Sequence, residues 1–219
     1  MKRSSDRILT THVGSLARPK DILEMLKAKA AGGPFDAAAF GRRVRGAVEE
    51  CVRKQVECGI DSVNDGELGK TNFTYYVRER LSGFESRPIR SGERSVVMNI
   101  SARDMQEFPE YFTGRDFFGR PLQPGAIPAG GLGVESMAYC VAPLNYVGQE
   151  ALQLDLDNFK AALAGVKAEE GFLPANTPGT IEHWLRNEYY KSDEEFLFAI
   201  ADAMHAEYKA IAEIGRAHV

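Results

Sequence analysis

The sequence predicts an α/β fold of parallel strands joined by crossover helices. Four short β-branched or apolar runs alternate with longer stretches of helical periodicity. None of the junctions carries the two-residue turn of a hairpin, so each return to the sheet calls for a crossover helix. The second run leads directly into Asn64, Asp65, Gly66 and Glu67. That sets two carboxylates at the carboxyl end of a strand, the edge where ligands bind in such folds.

Taken in order, Ile8 to Val13 is the first predicted strand, closed by Gly14 and Ser15. Ile22, Leu23, Met25 and Leu26 set a helical stripe between Asp21 and Ala31, and Gly32, Gly33 and Pro34 end it. Asp36 can cap a second helix, in which Phe40, Val44, Val48, Cys51, Val52 and Val56 recur at helical spacing up to Gly59. Ile60 to Asn64 is the second strand, and Thr71 to Leu81 reads as a helix. Residues 84–137 form a long excursion. Glycines and prolines interrupt it, but Phe108, Tyr111, Phe112, Phe117 and Phe118 give it more aromatic content than a disordered linker carries. An ordered insertion of this length reads as a lid or wall. Met137 to Val141 is the third strand, with Pro143 marking its end or a bend. Leu156, Phe159, Leu163 and Val166 form the next helical stripe, and Phe172 to Ala175 is the fourth strand. Ser192 and Glu195 make a capping box for a last helix bearing Phe196, Ile200, Ala203, Met204 and Ile211.

Four β/α units fall short of a closed (β/α)8 barrel, which takes roughly 250 residues. The pattern fits either a small open α/β domain or the N-terminal half of a barrel over residues 1–213. Glu213 to Val219 spell what a common sequencing adapter encodes in frame, so residues 214–219 are expected to be a non-native tail, which would remove His218 from the functional candidates; the alternative is an ordinary helix end with a short tail.

Composition narrows the partners. Lys and Arg number 27 against 31 Asp and Glu, interspersed along the chain, so neither nucleic acid nor an anionic membrane is indicated. No apolar run reaches membrane-spanning length, and Met1 to Asp6 is followed by no apolar segment of a secretory signal. Cys51, Cys58 and Cys140 cannot all pair and have no CxxC spacing, which fits a reducing, cytoplasmic setting. All three read as packing residues rather than metal ligands. His183 and His205 lie on helical stretches without a cysteine nearby. His12, at a strand end, is a core residue or a site residue.

Several stretches together resemble the catalytic barrel of cobalamin-independent methionine synthase, in the superfamily that also holds uroporphyrinogen decarboxylase. Thr10 to Ser15 (TTHVGS), with Leu16, Arg18 and Pro19, is similar to that family's first strand and loop. Gly59 to Val63, then Asp65, Gly66 and Glu67, and on to Tyr76, Leu81, Gly83 and Phe84, is similar to its second strand and the segment after it. Cys140 to Pro143 with Gly148 is similar to the third, and Pro174 to Thr180 falls at the fourth strand end. Gly179 to Trp184 and Asn187 to Tyr190 resemble the single-barrel branch.

The resemblance implies a TIM barrel, here an N-terminal part of about four β/α units with an ordered insertion. It also implies a methyl transfer from 5-methyltetrahydrofolate, as polyglutamate, to the homocysteine thiol, which a zinc ion holds as thiolate. By the same resemblance Val13, Gly14 and Ser15 hold the amino-acid part of homocysteine, and Glu67 accepts its ammonium group. Asp65 and His12 depart from the synthase pattern and are candidates beside them. The zinc ligands of the family lie in the second half of the barrel, so none is assigned in this sequence and the chain alone is expected to be inactive. Two alternatives stay open: a related zinc thiol methyl- or alkyltransferase with another donor, such as a corrinoid, or a non-catalytic domain that binds an amino acid.

Overall fold

Capping and apolar spacing lay down the helices. The computed structural model describes residues 3–30, 32–73, 75–88, 102–113 and 136–216, and these form a mixed α/β fold. Helix α1 spans Lys20–Ala30 and α2 spans Ala37–Glu57. Asp36 caps α2 by accepting from the Ala39 N–H at 2.9 Å, which satisfies one of the free donors of a helix start. Phe40, Val44, Val48 and Val52 are buried along one side of α2. At its end Gly59 turns the chain at φ 80°, a conformation that favours glycine.

The chain then enters β1 (Ser62–Val63), which pairs in parallel with β4 (Glu170–Gly171). Thr11 makes a parallel bridge to Ser62 on the other side. A second sheet holds β2 (Leu81–Pro88), β3 (Ser136–Tyr146) and β5 (Leu185–Asn187), with β3 antiparallel to β2 and parallel to β5. Short helices α3 (Ala102–Glu107) and α4 (Pro109–Phe112) follow β2. Helix α5 spans Gln149–Ala164, α6 spans Pro178–His183 and α7 spans Asp193–Arg216.

Two apolar cores result. The first gathers Ile22, Leu26, Val44, Val48, Val52, Leu156 and Phe159 around Val63 and Leu173. The second joins Tyr76, Leu81, Cys140 and Leu185 to Phe196, Ile200 and Met204 of α7. The partly buried Tyr146 packs against both.

Four sequence expectations need correction. Ile8 to Val13 does not form a strand. Only Thr11 pairs, and the side chains of Ile8 and Val13 are 84% and 74% exposed, because nothing among the described residues covers that segment. Thr71 to Leu81 is not a helix: a single 3-10 turn covers Tyr75–Glu79, and Leu81 already belongs to β2. Pairing of the fourth run falls at Glu170–Gly171 rather than at Phe172 to Ala175, although the Phe172 N–H still donates to the Val63 carbonyl at 3.0 Å. Finally, the four strands are not one parallel set. Met137 to Val141 lies in the second sheet, in a strand that continues through Pro143 to Tyr146.

The antiparallel partners β2 and β3 are separated by the long excursion, so no tight turn announced them. Gly83 explains how Pro143 is tolerated. The register shifts between Ser82 and Phe84, and Gly83 sits there at φ 93° against the Pro143 carbonyl, where a Cβ would lie 2.7 Å from that oxygen. Such a bulge accepts a proline inside a strand. The barrel is not closed among the described residues. Residues 89–101 and 114–135 of the excursion, with Phe117 and Phe118, and residues 217–219 of the proposed tail lie outside them.

Candidate functional site

The Asp65–Glu67 turn is built by its neighbours on the chain. The Asn64 Oδ1 accepts from the Gly66 N–H at 2.8 Å, and the Asp65 Oδ1 accepts from the Glu67 N–H at 3.0 Å. These two successive side-chain turns carry Gly66 and Glu67 into the left-handed region, at φ 64° and 56°. Glycine accepts that conformation readily, but for a glutamate it is strained. Gly66 also has no room for a side chain: a Cβ would lie 2.9 Å from the Cys51 Sγ and 3.2 Å from the Leu16 Cβ.

Helix α2 anchors the strand end beneath the turn. The Gln55 side chain donates to the Asn64 carbonyl at 2.7 Å and accepts from its N–H at 3.1 Å. Asn64 in turn donates from Nδ2 to the His12 carbonyl at 2.6 Å. The first segment is tied down further back by Asp61, which accepts from the Thr10 N–H at 2.8 Å and pairs with Arg7. Arg7 and the Thr10 N–H hold the Asp61 carboxyl well below the usual carboxylate range.

Ser15 and Glu67 are brought together. The Ser15 hydroxyl donates to Glu67 Oε2, and Glu67 is 1% exposed. Gly14 is at φ 100° with nothing within 4 Å of where a Cβ would stand, so its backbone is open to close approach. Val13 stands apart, with its side chain toward solvent. His12 is half-buried and uses Nε2 to donate to the Gly14 carbonyl at 3.0 Å, which shapes its own loop. Asp65 is buried behind the turn. Burial pushes its carboxyl up, opposed by the positive charge of Lys70.

Four participants were not singled out for a role by the sequence. Gln55 interrupts the apolar stripe of α2 seven residues after Val48, and a polar residue at a stripe position was the available signal. Asn64 lay inside the quoted turn. Arg18 donates from one nitrogen, Nη2, to the Glu67 carbonyl at 3.0 Å and to the Lys70 carbonyl at 2.9 Å. Lys70 donates to the Pro174 carbonyl at 2.7 Å and stands over the Tyr76 ring. These last contacts join distant segments, and no local pattern encodes them.

No group of three or more His, Cys, Asp or Glu among the described residues is arranged to hold a metal ion. Cys51 is half-buried, its thiol pushed up by burial, and Cys140 is buried in the second core. Cys58, expected to pack, is exposed at the end of α2. His183 and His205 are exposed. These donors do not fit a zinc site.

Arranged in this way, the turn offers a buried carboxylate and a serine hydroxyl beside open backbone. That combination suits a small ligand carrying an ammonium and a carboxylate, since charge-assisted hydrogen bonds are the strong ones.

No protein-family model matches the chain. It is 24% identical over 207 residues to the methionine synthase of Pyrococcus furiosus, covering 94% of this chain and 48% of that protein. It is 26% identical over 206 residues to the methionine synthase of Thermococcus kodakarensis, with 94% and 49% covered. Among solved structures, a B12-independent methionine synthase from Shewanella sp. W3-18-1, in complex with selenomethionine, superposes with a TM-score of 0.56 at 16% identity, covering 94% of this chain and 48% of that one. The chain thus spans about half the length of the curated relatives it matches. It is a distant homologue of these methionine synthases, matched over about half of their length.

Proposed function

We propose that this chain supplies the amino-acid-holding part of a methyltransferase of the methionine synthase type, built on a (β/α)8 barrel of which residues 1–213 are the N-terminal half. The reaction is transfer of the methyl group of 5-methyltetrahydrofolate to homocysteine. The homocysteine sulfur forms a bond to the methyl carbon, the carbon–N5 bond breaks, and its electron pair returns to N5, which takes up a proton. Glu67 accepts the α-ammonium group of homocysteine. The backbone at Gly14 and Ser15 meets its carboxylate, with Val13 flanking. The side chains of His12 and Asp65 each brace the loop they belong to.

One observation carries this reading: Glu67 is kept buried, in a strained conformation, and bonded to Ser15 from a different segment. Strain and desolvation each cost on the order of 1–3 kcal/mol, and a surface glutamate would incur neither. The described residues do not assemble a zinc site, so the share assigned to them is the amino-acid end alone.

Calorimetric titration of the 219-residue chain with L-methionine, the product amino acid, tests this. Saturable binding is expected, weakened at least tenfold by Glu67→Gln. Absence of binding, or equal binding by the two proteins, would refute the assignment.

A further inference from the structure

Among the described residues, Arg18 is the cation placed against both ends of the Glu67 turn. It reaches across from the loop after Ser15 and donates from Nη2 to the carbonyls of Glu67 and Lys70, at 3.0 and 2.9 Å. The Leu16 N–H makes a parallel tie, donating to the Gly66 carbonyl at 3.0 Å. Two successive left-handed residues between these ties have no regular secondary structure to hold them. The arginine is also kept at a cost. Its Nε–H is buried without an acceptor, and burial lowers the guanidinium pKa, against the pull of Glu67 and then Asp65. A side chain serving only to fill space would carry neither penalty.

We infer that Arg18 is the positioning residue of the amino-acid site. By clamping the Glu67 and Lys70 carbonyls it fixes the turn that aims the Glu67 carboxylate at Ser15. This rests on the reading of Glu67 proposed above. Because both bonds leave from a single nitrogen, a lysine ammonium can replace them in kind, whereas an apolar side chain of similar length cannot.

The test compares wild type, Arg18→Lys, Arg18→Met and Glu67→Gln in the full chain. Two readouts are taken: L-methionine affinity by calorimetry, and amide hydrogen exchange with melting temperature in the ligand-free protein. Arg18→Met is expected to melt close to wild type. It should weaken L-methionine at least fivefold and speed exchange of the Lys70 N–H, which donates to the Glu67 carbonyl at 3.2 Å. Arg18→Lys should restore most of both. If Arg18→Met binds as wild type while Glu67→Gln does not, the Arg18 inference is overturned and the Glu67 reading stands. If wild type fails to bind L-methionine, the Glu67 reading falls. Exchange then decides the clamp by itself: unchanged exchange at Lys70 in Arg18→Met, or acceleration spread evenly over the chain with a lowered melt, overturns it.

Discussion

Gly66 and Glu67 do opposite things with the same backbone conformation. Glycine relieves the turn, because it has no Cβ to clash with the preceding helix and loop. Glutamate bears the strain and places a carboxylate where no regular strand would put one. Gly66→Ala combines two penalties, a φ of 64° and a Cβ 2.9 Å from the Cys51 Sγ. The expected loss is about 1–3 kcal/mol of unfolding free energy, read by urea denaturation. A loss below about 0.5 kcal/mol would mean that the turn is less constrained than its contacts indicate.

Among the elements, α7 shows local rules holding. The Ser192 hydroxyl accepts from the Glu195 N–H at 3.1 Å, and Glu195 accepts in return from the Lys191 N–H at 3.1 Å. That is the reciprocal arrangement the sequence pattern called for, displaced by one residue at its return bond. Ser192→Ala should cost about 1 kcal/mol, again by urea denaturation, and an unchanged midpoint would show that α7 is held by packing alone. The β2–β3 pair shows local rules insufficient. Its strands lie far apart in sequence, and the proline inside β3, Pro143, is absorbed by a bulge whose space depends on Gly83.

At the scale of the molecule, a buried polar network links the two cores. The Glu207 carboxylate of α7 accepts from Tyr76 at 2.9 Å and Tyr146 at 2.7 Å. Arg80 donates to Asp155 of α5 at 2.6 Å and to the Gly148 carbonyl at 3.1 Å. Burial pushes the Asp155 carboxyl up to about 6, against the pull of Arg80 and Lys70 and with a further push from Asp65. In the unfolded chain an aspartate titrates near 3.9. Between about pH 6 and pH 4 the native state therefore holds a proton that the unfolded state has released. The contribution of Asp155 to stability rises as pH falls through that window, and is lost as pH rises through about 6. Relative to Asp155→Asn, wild type should gain stability between pH 6.5 and pH 4.5 in urea denaturation. A constant difference between the two proteins would contradict the raised Asp155 pKa.

The sequence by itself determined the helices, the carboxylate turn and its kinship. Apolar spacing, caps and glycine stops act over a few residues, so both ends of α1 and α2 and the start of α7 were legible within a residue or two, while the stripe read for α5 began at Leu156, well inside a helix that starts at Gln149. Asp65, Gly66 and Glu67 could be singled out because turn chemistry and strand-end position are both local. Only the tertiary structure decided which strands pair. The run from Ile8 to Val13 has β-branched residues but no cover, so it contributes a single bridge. Met137 to Tyr146 joins a second sheet because its partners come from segments far away in the chain. Tertiary structure also decided what holds the site. Gln55, Arg18 and Lys70 act through carbonyls that only folding brings near them, and backbone acceptors leave no mark in a sequence.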